Sequence, residues 1–312
     1  MNVIDWLLSG DASIARLTKK YLLEEEVLYT NVGWITQYLS FYNHEHKQWA
    51  NGLNKTEGPF GHGIYSPKWI STFYTLRELT LLEINPEDPI YQEGMKTLLH
   101  FFWNKDLYQV KDICVVGMLL SMVIYAQCDQ QYITEMVDYL IYNQVFDGGF
   151  NCESRSHQVH SSSIHTTLSV LEGFEALIQS DYIFDKQVIF KIKKEAEAFL
   201  LRKRLMRRES NNEIIQSYIV HFHYPTRWKY DVLKALIYFA NSNHPYDTRF
   251  DEAMSLLKKR IMKGKLPKGP FHSGLLFFPL DSENVARMNS LRGLIVLKKY
   301  DFAFYQSLLS KS

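Results

Sequence analysis

The chain has 312 residues, 46 % hydrophobic and 22 % charged, with 34 acidic against 35 basic side chains and a net charge of +1. That composition excludes a disordered chain, and the balanced charge leaves no global field to draw the protein to nucleic acid or to a membrane surface. Three cysteines (Cys114, Cys128 and Cys152) are too few for a disulfide framework and point to a reducing cytoplasm.

In chain order the first segment, "NVIDWLLSGDASIARLTKKYLL", lacks a basic leader and carries Asp5 within its apolar stretch, so it does not read as a secretory signal. We take residues 1–30 as a degenerate or closing helical unit. Helical periodicity resumes at "WITQYLSFYNHEHKQW" and covers nearly every segment after it. The helices alternate: an amphipathic one, a loop, then a more apolar one. The apolar members superimpose as "KWISTFYTLREL" (68–79), "DICVVGMLLSMV" (112–123), "SSIHTTLSVLEG" (162–173), "TRWKYDVLKALI" (226–237) and "ARMNSLRGLIVL" (286–297). Their spacing of roughly 45 to 60 residues is that of paired-helix repeats. The longest apolar run, "ICVVGMLLSMVIYAQC" (113–128), falls short of the ~20 residues of a membrane span and reads as a buried helix. "GLLFFPL" is the one strand-like run, and Pro279 argues against a central strand there. A helix apolar nearly all round must be buried on most sides. The expected fold is therefore all-α: a single domain over 1–312, an α/α toroid of five to six helical hairpins with the apolar helices around a central cavity.

The most unusual stretch is "DGGFNCESRSHQVHSSSIHTT" (147–167). Gly148 and Gly149 permit a sharp turn between helices, Phe150 can plug between hairpins, and Gln144 can bond the loop backbone. Ser161, Ser162 and Ser163 read as N-cap and loop-bonding residues at the entry of the next helix, His157 and His160 as surface residues. Cys152 reads as structural first, with a fourth metal ligand or a reactive thiol as the sharper alternatives.

"YLIYNQVFDGGFNC" (139–152) resembles the repeat motif of squalene cyclases and protein prenyltransferase β-subunits, which share an α/α toroid, and "HKQWANG" (46–52) is a weaker copy. "GIYSPKWISTFYTL" and "HSSSIHTTLSVLEGF" are similar to segments of a bacterial squalene-cyclase-like group known by its fold and not by an activity. The resemblance implies architecture more than chemistry.

Two helix openings carry the sharpest chemical hint. "VKDICVVGM" puts Asp112 and Cys114 at the start of one apolar helix, and His165 falls at the equivalent place on the next. A carboxylate, a thiolate and an imidazole suit zinc with one position left open. Prenyltransferase β-subunits open their helices with the same residue types, and the resemblance implies a zinc that activates a thiol. The diphosphate-binding Arg and Lys of that family are replaced here by Asp106 and Gln109.

The remaining openings offer Tyr65, Lys68 and Trp69, then Arg227, Trp228, Tyr230 and Asp231, and Arg287, a set suited to an anionic group on an apolar tail. Pro67 and Pro225 punctuate the starts of their helices. The basic run 191–210, with eight basic against three acidic residues, reads as a solvated helix face. An Asp-x-Asp-Asp acid motif, an Asp-Asp-x-x-Asp magnesium motif, a phosphate loop and a dinucleotide fingerprint are all missing, so a proton-initiated cyclase is not expected.

The expectation is thus a cytoplasmic protein binding an apolar or isoprenoid-like small molecule, without a transmembrane segment. Its activity would be a zinc-dependent transfer or hydrolysis, with a second helical subunit as a candidate partner. Alternatives are a toroidal polysaccharide lyase or hydrolase, for which Asp231 and Glu172 are the placeable carboxylates, and a non-catalytic lipid-binding or interaction module.

Overall fold

The computed structural model describes residues 2–50, 63–103, 112–152, 161–270, 272–281 and 284–310. Among these the fold is all-α: isolated bridges occur, but no strand forms, and 274–280 is irregular. No helix among the described residues is long and apolar enough to cross a membrane.

The five apolar helices form where the repeat grammar places them: α4 (Thr72–Leu81), α6 (Ile113–Tyr125), α8 (Ile164–Ile178), α10 (Val232–Asn241) and α12 (Arg287–Tyr300). Each buries most of its circumference; in α10 every residue from Val232 to Ala240 is buried. The amphipathic partners are α5 (Pro89–Phe102), α7 (Gln130–Tyr142), α9 (Lys186–Arg202), α11 (Asp251–Arg260) and α13 (Phe302–Leu309). Upstream lie α1 (Val3–Leu8), α2 (Ala12–Leu22) and α3 (Trp34–Ser40).

The prolines act earlier than expected. Pro67 opens a turn closed by the Ile70 N–H on its carbonyl (3.3 Å), and α4 begins only at Thr72. A second turn, Lys229 N–H to Thr226 O (3.0 Å), separates Pro225 from α10. Both prolines thus shape the loop, not the first helical turn.

The chain divides into two compact units, each drawn from separated segments. One comprises Met1–Thr36, Leu201–Ser273 and Phe278–Ser312; the other comprises Gln37–Leu200 and Gly274–Phe277. In the first, α12 packs on α2, α10 and α13, and α1 touches α2 and α13. The segment expected to be a closing unit therefore sits within the core of this unit.

In the second unit the central contact is α6 against α8. Small residues permit it: a Cβ on Gly117 would lie 2.7 Å from the Val170 nitrogen, and one on Gly173 would lie 2.7 Å from the Gly117 oxygen. Arg77 of α4, 3 % exposed, donates to Glu172 of α8 at 3.0 Å and ties the third apolar helix in. The four-residue segment 274–277 completes this unit. Leu275 N–H bonds to the Lys68 carbonyl (3.1 Å), and Phe277 stacks on Phe41 at 4.4 Å between ring centroids.

Candidate thiol centre at the openings of two buried helices

The turn after α7 is built as its residues suggest. Gly148 has φ +94°, a region that favours glycine, and its N–H bonds to the Val145 carbonyl (2.9 Å). Gln144 Nε2 donates to Gly148 O (2.9 Å) and to Glu195 of α9 (3.1 Å). Phe150 is fully buried against Phe174, and its N–H donates to Thr167 Oγ1 at 2.9 Å. Asp147 fastens the far side by accepting the Ser162 N–H (2.9 Å) and the Ser162 hydroxyl. Ser162 thus holds the turn, and Ser163, although the N-cap of α8, makes no side-chain capping bond. The docked turn is what delivers Cys152 to the openings of α6 and α8.

There the sulfur of Cys152 accepts the main-chain N–H of Cys114 at 3.3 Å and lies 3.5 Å from the Thr166 hydroxyl. Asp112, the N-cap of α6, makes no side-chain capping bond, so a sulfur answers a first-turn N–H that a capping oxygen ordinarily takes. The two thiols are also hydrogen-bonded to each other, which pushes Cys114 well above the usual thiol range, with burial adding to it. The same bond, helped by Thr166 and the Cys114 N–H and opposed by burial, lowers Cys152 to about 7. Physically, Cys114 keeps its proton and donates it, and negative charge settles on Cys152. Both cysteines are half-buried. Cys128, beyond the other end of α6, behaves in the opposite sense: burial raises it to about 11.

Aromatic side chains stand beside the pair. The Tyr74 hydroxyl donates to that of Tyr65 at 2.8 Å. Tyr65 packs against Phe73 (5.2 Å), Tyr74 (5.2 Å) and Phe102 (5.9 Å). Burial raises the Tyr65 phenol above its ordinary range, and the negative potentials of Cys114, Asp112 and Cys152 add to it. The exposed Lys68 holds its ammonium 5.5 Å from the Tyr65 ring and 5.7 Å from that of the buried Trp69. Tyr65, Lys68 and Trp69 therefore form one group.

The expected metal ligands lie at the same two helix openings. Among the described residues, no group of three His, Cys, Asp or Glu side chains is placed to hold a metal ion. Asp112 and Cys114 open α6 and His165 lies in the first turn of α8, but the partner found for Cys114 is Cys152. Asp106, Gln109, His157 and His160 lie outside the described residues.

Of the expected binding residues in the other unit, Arg227, Tyr230 and Asp231 are buried, and Trp228 and Arg287 are half-buried. Tyr230, 1 % exposed, donates its hydroxyl to the Leu205 carbonyl at 2.6 Å. Asp231, also 1 % exposed, caps α10 through the Lys234 N–H (2.8 Å) and accepts the His223 N–H (3.0 Å). Arg287 donates to the Trp6 carbonyl and lies 4.4 Å over the Trp6 ring, fixing α1 to α12. Arg227 is buried at φ +57°. Trp228 lies half-buried beneath the Lys229 ammonium, 5.8 Å away. Residue type alone did not separate these roles from ligand contacts.

Sequence reasoning also passed over His223, which is buried and stacked on His272 with centroids 4.3 Å apart. The two carboxylates of the polysaccharide reading are both engaged, Asp231 in its cap and Glu172 with Arg77. The basic run is not solvated throughout: Lys193, its side chain 12 % exposed, pairs with Glu175 (3.3 Å) and Glu197 (2.8 Å), whereas Arg207 pairs with Glu252 nearer solvent.

No family model matches the chain, and no curated protein or solved structure does.

Proposed function

We propose that the chain is a prenyltransferase- and terpenoid-cyclase-like helical-repeat protein that binds an apolar, isoprenoid-like molecule and acts on it through the sulfur of Cys152. One observation carries the reading. The Cys152 sulfur is hydrogen-bonded by Cys114 and Thr166 at the joint opening of α6 and α8, beside the Tyr65–Tyr74 aromatic group. Tyrosine and phenylalanine faces suit an apolar chain, and the Lys68 ammonium suits an anionic head on it. The reaction class is group transfer: the sulfur attacks an activated carbonyl carbon of the apolar molecule, the bond from that carbon to its original leaving group breaks, and the leaving group departs with the electron pair and is protonated. The thioester so formed is then attacked by an acceptor hydroxyl or by water, which breaks the carbon–sulfur bond and returns the Cys152 thiol. Zinc at Asp112, Cys114 and His165 is the alternative way to activate this opening, and it would draw on the same Cys114 thiol.

The test is site-resolved alkylation with iodoacetamide, with and without farnesol as the apolar probe. Cys152 should label before Cys128 at neutral pH, and farnesol should slow Cys152 several-fold. Labelling of Cys152 no faster than Cys128 removes the sulfur from the reading, and a rate indifferent to farnesol removes the apolar ligand.

A further inference from the structure

We propose that Cys114 and Cys152 together form a thiol–disulfide exchange site, closed to an intrachain disulfide by a small disulfide of the glutathione class and reopened by the matching thiol. The inference rests on the proposed function only in taking Cys152 as the attacking sulfur.

The geometry is that of a pair. Two cysteines 38 positions apart in the chain are brought together, the Cys114 main-chain N–H donating to the Cys152 sulfur at 3.3 Å. Both are half-buried, so neither is sealed in the core. An inert core cysteine is surrounded by apolar atoms. The Cys152 sulfur instead meets three polar groups, the Cys114 N–H, the Cys114 thiol and the Thr166 hydroxyl. A nucleophile working alone needs only one sulfur. A second thiol already in contact makes any mixed disulfide on the first short-lived, because the second attack is intramolecular.

The steps balance. Cys152 gives its proton to solvent and its sulfur attacks the small disulfide. A Cys152–small-thiol disulfide forms, the reagent's own sulfur–sulfur bond breaks, and one small thiolate leaves and is protonated by solvent. Cys114 then gives up its proton and attacks the Cys152 sulfur. The Cys114–Cys152 bond forms, and the second small thiolate leaves and takes up a proton. In sum two protein thiols are oxidised and one small disulfide is reduced to two thiols. The closed bond leaves no free sulfur at the openings of α6 and α8, so oxidation would switch off the transfer chemistry proposed above.

The full-length protein, equilibrated in mixtures of reduced and oxidised glutathione, acid-quenched and peptide-mapped by mass spectrometry, tests this. Wild type should yield a Cys114–Cys152 cross-link that excess reduced glutathione reverses, with Cys128 reacting at least about tenfold more slowly. Cys114→Ser should retain one glutathione on Cys152, and Cys152→Ser should give neither adduct nor cross-link. Accumulation of the Cys152 adduct in wild type to the level of Cys114→Ser overturns the proposal, as does oxidation of Cys128 at the rate of Cys152. Should a serine variant fail to fold by circular dichroism, the wild-type time course decides: the adduct must precede the cross-link. Fast, farnesol-sensitive alkylation of Cys152 with no cross-link defeats the pair and leaves the proposed function standing. Slow alkylation defeats that function as well.

Discussion

Asp112 and Asp231 are both N-cap residues, each just before a buried helix, and they do different things. Asp231 is almost completely buried and accepts two main-chain N–H groups, from Lys234 and His223. Burial raises its carboxyl, against the opposing pull of the Arg292 charge and these two hydrogen bonds. Asp112 is half-buried and makes no capping bond, and the N–H it does not take goes to a thiol. The difference teaches how this fold separates structure from chemistry. Where a carboxylate closes the helix, the opening is finished. Where a sulfur is left to close it, the opening keeps a reactive atom under polar tension.

The largest expected effect tests the structural side of that contrast. Asp231→Ala removes a cap and leaves a buried N–H unanswered, about 3 kcal/mol together, and should cost more than Asp112→Ala, which removes no capping bond. Urea unfolding of both variants measures it, and equal costs would erase the distinction. Next, Gly117→Ala inserts a methyl group into the α6–α8 backbone contact. A loss of about 2 kcal/mol is expected. Alkylation of Cys152 should slow in the same variant, because the two openings that hold the sulfur are levered apart.

Smaller effects lie in the sulfur itself. The alkylation rate of Cys152 should be half-maximal near pH 7 and fall below it as the proton returns, while Cys128 should react only toward pH 11. Cys114→Ala removes the largest cause of the lowering and should shift the Cys152 midpoint upward. Labelling then slows at pH 7 and is little changed at pH 10. Thr166→Val should do the same to a lesser degree. Finally, metal analysis of protein purified without chelators sets zinc against the thiol pair. Zinc near one per chain, lost in both Cys114→Ala and His165→Ala, would hand the Cys114 thiol to a metal; folded zinc-free protein leaves it to Cys152.

Much of the fold was legible in the sequence because burial leaves a periodic trace. The five apolar helices and the Gln144–Gly148 bond follow from helix spacing and from one turn. Local signals marked the serines before α8 as cap and loop-bonding residues without dividing those parts among them. Ser163 sits at the cap position of α8, yet Ser162 makes the bond, and to Asp147. The site was half legible. Cys114 and the opening of α6 stood out, but aligning helix openings pairs Cys114 with His165. The Cys114–Cys152 contact depends on how the Asp-Gly-Gly-Phe turn docks across α8, a tertiary fact without a sequence period. Tyr230, Asp231 and Arg287 stand out by residue type alone, whereas their backbone partners depend on tertiary packing that carries no sequence period.

The four residues 274–277 also impose an order in time. A ribosome that has finished residue 200 has made every helix from α4 to α8, but not the strip that bonds Lys68 and stacks on Phe41. Until that strip emerges the nascent unit lacks the Leu275 bond to the Lys68 carbonyl and the Phe277 ring that stacks on Phe41. Its helices can form during synthesis, but its final closure waits for a part of the chain made some distance later.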